Sequence, residues 1–98
     1  MLKLTGKQKN YLRGLGHHLK PLIQIGKDGL AADFIENLDA ELERHELIKV
    51  KVLENAPEDK KSLAASIEKT TGSAIVQIIG KIVLVYRPSK EEPKIDLT

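Results

Sequence analysis

The 98-residue sequence predicts one α/β domain, an α-β-α-β-α-β-β sandwich built on a four-stranded mixed sheet. Three observations carry that prediction. Segments of helical period alternate with short runs rich in β-formers, which requires at least one crossover between strands. Two almost continuously apolar runs, Ala74-Ile75-Val76-Gln77-Ile78-Ile79 and Ile82-Val83-Leu84-Val85-Tyr86-Arg87, flank Gly80-Lys81 as the arms of a hairpin, and belong in a covered sheet. A chain of this length buries roughly 60–70% of its unfolded surface and folds without covalent help. The domain is expected over residues 1–90, with a flexible tail over 91–98, where Pro, Lys and Glu follow Pro88.

Leu4-Thr5-Gly6-Lys7-Gln8 opens the first helix: Thr5 caps it, Gln8 completes a capping box, and Leu4 is half of a hydrophobic staple. The helix is expected from about Gly6 to His18. At about 100° per residue, Leu12, Leu15 and Leu19 form an apolar stripe with Tyr11 and Gln8 at its edges. Lys9, Arg13, Gly16, His17 and Lys20 gather on nearly the opposite side. Pro21 sets an extended entry into Leu22-Ile23-Gln24-Ile25, a strand that runs into Gly26-Lys27-Asp28-Gly29. The second helix, from about Leu30 to Arg44, turns Leu30, Phe34, Ile35, Leu38 and Leu42 inward and Asp33, Glu36, Asp39 and Glu43 outward. Leu47 to Leu53 alternates, with Ile48, Val50 and Val52 facing one way and Lys49 and Lys51 the other, as in a half-exposed strand. Asn55-Ala56-Pro57-Glu58-Asp59 has the chemistry of a helix start. The third helix runs to about Thr71, with Leu63, Ala64 and Ile67 inward, and stops at Gly72.

Composition excludes several classes of function. There is no cysteine, so disulfides, thiolate metal sites and cysteine nucleophiles are ruled out. The first residues lack the apolar run of a signal peptide, and no stretch approaches the ~20 apolar residues of a membrane span, so a soluble, cytoplasmic protein is expected. Net charge is only +2, but its distribution is uneven. Residues 1–29 carry six cations against Asp28 alone, a net +5; residues 30–59 carry three against nine acids, a net −6; residues 60–98 carry seven against four, a net +3. A basic front backed by an acidic helix suits oriented docking on a polyanion.

Catalytic constellations are thin. His17 and His18 are adjacent, so a helix points them about 100° apart, too far to share one metal. His45 ends the acidic helix, where an imidazolium suits the dipole. Ser62, Ser66 and Ser73 lack a nucleophile-elbow context, and Gly26-Lys27-Asp28-Gly29 is not a Walker loop because no Lys-Ser or Lys-Thr follows its second glycine. Neither an enzyme nor a cofactor, metal or small-molecule substrate is expected.

The Gly-x-x-Gly corner suits binding better. Gly26 and Gly29 permit positive φ and remove Cβ atoms that would hold another backbone away, while Lys27 places a cation at the tip. The amides that open the next helix carry the positive end of its dipole, so an anion is the expected guest. A strand-to-helix turn that binds nothing also fits the motif, and a charged helix face is also met as a merely solvated one. In KH modules such a loop clamps the nucleotide backbone beside a helix. With Tyr11, Phe34 and Tyr86 the only aromatics, recognition is expected to use backbone and shape more than bases. Tyr86-Arg87 offers one stacking or phosphate contact, or else Tyr86 caps the core.

Taken together, Lys7-Gln8-Lys9, Tyr11-Leu12-Arg13-Gly14-Leu15, His17-His18-Leu19-Lys20-Pro21, Gln24 to Leu30, His45 to Val50, Gly80-Lys81 and Tyr86-Arg87-Pro88 resemble the CRM domain family in its stand-alone bacterial YhbY form, over about residues 2–90. The resemblance implies a fold similar to the C-terminal domain of translation initiation factor 3. It also implies a small RNA-binding protein associated with precursors of the large ribosomal subunit, as plant-organelle relatives carry the domain in group II intron splicing factors. The family's Gly-x-x-Gly loop maps onto Gly26, Lys27, Asp28 and Gly29, and its basic surface onto Lys9, Arg13, His17, Lys20 and Lys27; with Arg87 these form the expected RNA-binding set. The alternative is a protein-interaction module whose acidic helix docks a basic ribosomal protein or assembly factor.

Overall fold

The computed structural model describes residues 2–97, in the order α1 (Gly6–Gly16), β1 (Pro21–Ile25), α2 (Ala32–His45), β2 (Leu47–Val52), α3 (Lys60–Thr71), β3 (Ala74–Ile79) and β4 (Ile82–Tyr86). The strands form one sheet in the order β1-β2-β4-β3. β1 runs parallel to β2, and the β2/β4 and β4/β3 pairs are antiparallel, so the sheet is mixed as expected. Among the described residues no helix is long and apolar enough to cross a membrane.

The pleat sends alternate residues of each strand to opposite faces, and each face has its own helical cover. Ile23, Ile25, Ile48, Val50, Val52, Val83 and Val85 meet Leu38 and Leu42 of α2 and Leu63, Ala64 and Ile67 of α3. On the other face Leu47, Val76, Leu84 and Tyr86 meet Leu12 of α1, with Leu2, Leu4, Ile95 and Leu97 packed around them. Tyr86 is therefore a core residue. β4 is central and buried from Val83 to Tyr86, whereas β3 is an edge strand whose Ile79 is 61% exposed.

The start of α1 is as its sequence dictates: Gln8 N–H donates to Thr5 Oγ1 at 3.1 Å and Thr5 N–H to Gln8 Oε1 at 2.9 Å. Its buried stripe is not. Leu12 and Gly16 are buried, while Leu15 is 41% exposed and Leu19 is exposed as well. Gly16 explains the roll of the helix, because a Cβ there would lie 2.9 Å from Leu84 Cδ2. The helix rests on its side-chain-free position, which turns Leu15 outward. Gly16 thus serves packing. The helix also stops at Gly16, two residues short of His18, in keeping with the low helix propensity of Gly14 and Gly16.

The residues from Pro88 onward are hydrogen-bonded back onto the end of α2. Glu46, buried and at φ 65°, accepts Ser89 N–H at 2.7 Å, Lys94 N–H at 2.7 Å and Ile95 N–H at 2.8 Å. Glu43 accepts Lys90 N–H at 2.9 Å and the Ser89 hydroxyl. The segment from Pro88 to Leu97 is thereby tied to the C-terminal end of α2 and, through Ile95 and Leu97, to the α1 side of the core, where a flexible tail is expected from the sequence. Of the outward acids of α2, Asp39 pairs with Arg87 and Glu43 with the tail, while Asp33 and Glu36 stay exposed.

Candidate nucleic-acid interface

β1 leaves the sheet at Ile25, whose carbonyl accepts Leu53 N–H at 2.9 Å, and the next four residues make the corner. Gly29 N–H donates to Gly26 O at 3.0 Å, which closes the turn and leaves Lys27 and Asp28 exposed at its tip. The two glycines have different reasons. Gly29 is buried at φ 58°, and a Cβ there would lie 2.9 Å from Pro57 Cγ, so the fold itself requires it. Gly26 has no positive φ, and a Cβ there would meet only Asn55 Oδ1 at 3.7 Å and Leu53 Cδ1 at 3.8 Å. Nothing in the protein demands a glycine at 26, so its bare backbone is the one available to a guest.

The α2 N-terminus is a weaker anion site than its dipole suggests. The helix starts at Ala32, two residues after the expected Leu30, and Ala31 provides no side-chain cap. Asp33 Oδ1 accepts Phe34 N–H at 3.0 Å, so a carboxylate already answers the first turn. The groove beside the corner is lined by Gln24, Lys27, Phe34, Asn37 and Asn55, but also by Asp28 and Asp33. An approaching phosphate is favoured only on the Gly26 and Lys27 side.

The cations of α1 converge on the opposite face of the sheet from α2. Arg13 and His17 are exposed at the rim of a recess of about 190 Å³, whose other walls are Lys49, Gln77, Ile79, Ile82 and Leu84. Among the described residues no carboxylate lines it. Lys49 Nζ donates to Leu19 O at 2.9 Å, which fixes that ammonium beside the helix end. Lys9 lies one turn back on the stripe and is half-buried, and Lys20 is exposed in the connection to β1.

Strand register links the recess to the corner. Gln24 pairs with Lys51, Lys51 with Ile82, and Ile82 with Ile79, so these four stand in one row across the α1 face. The neighbouring row, Lys49, Leu84 and Gln77, is the one on which Gly16 rests. α1 ends there and leaves the Gln24-Lys51-Ile82-Ile79 row uncovered. Two-residue steps along β2, from Lys49 to Lys51 and on to the level of the corner, span about 14 Å. Arg13, His17, Lys49, Lys51, Gln24 and Lys27 therefore follow one another along a single band, with Lys20 at the start of β1. Lys49, Lys51 and Gln24 are the residues that sequence reasoning missed. The alternation of β2 marked its lysines as outward, but only the strand order puts them beside α1.

Arg87 does not join the band. It is 6% exposed, and its guanidinium pairs with the Asp39 carboxylate while donating to Thr71 O and Asp39 O, each at 3.0 Å. The expected phosphate contact at the end of β4 is corrected accordingly: Arg87 is a brace between β4 and the two helices. Lys81 is also engaged, 2.8 Å from Glu54 Oε1. Among the described residues no group of three or more His, Asp or Glu side chains is arranged to hold a metal ion.

Comparison with known proteins matches residues 4–87 to the family model of the CRS1 / YhbY (CRM) domain. The chain is 46% identical over 94 residues to the "Probable RNA-binding protein YqeI" of Bacillus subtilis, covering 96% of this chain and 98% of that one. It is 44% identical over 97 residues to a Haemophilus influenzae relative named RNA-binding protein, covering 99% and 97% respectively. The solution structure of the hypothetical protein SAV1595 from Staphylococcus aureus superposes with a TM-score of 0.81 at 49% identity, over 98% of this chain and all of that one.

Proposed function

The chain belongs to the CRS1 / YhbY (CRM) domain family, and from that premise we propose that it is an RNA-binding module, not an enzyme, that grips RNA backbone between the Gly26 to Gly29 corner and the basic end of α1. The observation that carries the reading is the recess beside Arg13, His17 and Lys49, which no carboxylate of the described residues lines, and the row Ile79-Ile82-Lys51-Gln24 that leads from it toward Lys27, where Asp28 and Asp33 share the groove. A polyanion has one continuous path there, and the bare backbone at Gly26 lets a sugar-phosphate chain approach its far end. The relatives named RNA-binding proteins support the ligand class. The resemblance to the YhbY form extends the reading to large-subunit ribosomal RNA or its precursor, with a role in assembly of that subunit.

Lys9, Arg13, His17, Lys20, Gly26, Lys27 and Asp28 remain in the proposed contact set, joined by Lys49 and Lys51, with Gly29 shaping the corner. Docking through the acidic helix is the weaker reading, because two of its four outward acids, Asp39 and Glu43, are engaged within the chain, leaving Asp33 and Glu36 exposed. The test is Lys27→Asp, which reverses the exposed tip without touching the core. Its thermal midpoint is expected to match the wild type while affinity for a ribosomal RNA fragment falls across sequences alike. Unchanged affinity at matched salt would remove the corner from the interface.

A further inference from the structure

The recess at the end of α1 has the wrong chemistry to be only a phosphate site. Its rim carries the cations of Arg13 and Lys49 beside the His17 imidazole, but its floor is aliphatic. Ile79 is 61% exposed on the edge strand, Ile82 is half-buried in the row beside it, and Gly16 contributes no side chain. Phosphate gains nothing from that floor, whereas the flat apolar face of a base does. At about 190 Å³ the space is below the roughly 300–1,000 Å³ of sites that enclose a free ligand. It suits one ring system of a longer chain, with the sugar-phosphate left outside against the rim cations. Gln77 adds an amide that can both donate to and accept from a base edge.

Resting on the RNA-binding reading above, we propose that this recess seats one unpaired nucleobase, so that the protein selects single-stranded or bulged RNA over continuous duplex. A base in a duplex is stacked and paired, and delivering it to the recess would cost a few kcal/mol of unstacking. A bulge or loop has already met that cost. The scarcity of aromatics therefore does not restrict the protein to backbone recognition, because Ile79 and Ile82 provide the apolar platform that stacking side chains provide elsewhere.

The experiment measures fluorescence anisotropy of the full chain with three labelled RNAs at one salt concentration: a single strand, a perfect duplex, and the same duplex carrying one bulged nucleotide. Wild type is expected to bind the bulged duplex at least about fivefold more tightly than the perfect one, the low end of what seating one base contributes. Ile79→Ser, at an exposed edge position, and Gln77→Ala are each expected to bring that ratio toward one, with far-UV circular dichroism confirming the fold. Lys69→Ala, on α3 across the sheet, is the control that keeps it. A wild-type ratio near one, with all three RNAs bound, would overturn the recess proposal and leave the RNA-binding reading intact. Binding to none of them would overturn that reading itself. Retention of the ratio by both recess variants would also overturn the proposal.

Discussion

If the band is the interface, its charges set the salt dependence of binding, and that dependence can be dissected one lysine at a time. Arg13, Lys20, Lys27, Lys49 and Lys51 are the five band residues that bear a permanent cation, and among the described residues none of them is in an ion pair. On single-stranded RNA each phosphate neutralised contributes about −0.7 to the slope of log affinity against log salt, so five contacts give about −3.5. Between 50 and 200 mM salt the wild type should then lose on the order of 100-fold in affinity. Lys27→Gln and Lys51→Gln remove one contact each, at the corner and in the open row, so each slope is expected near −2.8 and the double variant near −2.1. Its loss over the same range would be roughly 20-fold. The assay is titration of a labelled oligoribonucleotide at four or five salt concentrations, with Lys69→Gln on α3 as the control. A wild-type slope near zero would refute the electrostatic account. Single variants that keep the full slope would refute the band, since the counterions would then be released elsewhere on the surface.

Three further predictions separate packing from binding. Gly14→Ala, with nothing within 4 Å of its Cβ, should raise stability by up to ~1 kcal/mol through helix propensity, while Gly16→Ala should lose that gain against Leu84; paired urea titrations decide. Gly29→Ala should destabilise by about 1–3 kcal/mol, through its left-handed backbone and the Pro57 contact, or some 4–8 °C in midpoint per kcal/mol. Gly26→Ala should leave stability within about 0.5 kcal/mol yet weaken RNA binding, and equal effects of the two substitutions would refute the division of labour at the corner. Glu46→Gln places an amide donor against backbone donors and should release the strap, read as faster hydrogen exchange at Ser89, Lys94 and Ile95. Burial raises the pKa of Glu46, but those three amides outweigh it and hold it below the ordinary carboxylate value of 4.5. The contribution of Glu46 to stability is thus fully present above that value and lost as pH falls through the lower folded one. Protection of the strap should fail in acid before that of β4.

The element order was legible because its signals are local. The Thr5 and Gln8 box, Gly72 and the Gly80 hairpin each act within four residues of where they stand. What the sequence hid depends on partners far along the chain. The true inward face of α1 follows from Leu84, 68 positions beyond Gly16, and no helical wheel contains that residue. Pro88 to Leu97 reads as solvent-loving because its ordering comes from backbone amides that Glu43 and Glu46 collect, and amides carry no sequence pattern. Arg87 looked free for the same reason, since Asp39 is 48 positions away. At the site, the helical spacing of Arg13 and His17 and the exposed Lys27 were readable, but the parallel crossover that sets β2 beside β1 was needed to add Lys49 and Lys51.

The segmental charge imbalance acquires a spatial meaning once the long-range pairs are known. Residues 30–59 are net −6, yet Asp39, Glu43 and Glu46 are directed at Arg87 and at the strap. These contacts hold acids on the α2 side and away from the α1 face, where the recess has cations and no carboxylate. Releasing the strap would thus do more than loosen the C-terminal residues: Ile95 and Leu97 would leave the core under α1, and the helix carrying Arg13 and His17 would lose part of its footing. A Glu46 substitution should therefore weaken RNA binding without removing any band residue. Its signature should be an unchanged salt slope with a lower affinity at every salt, because the same phosphates are met by a less rigidly placed helix. A fall in slope would instead mean that the strap holds contacts of its own.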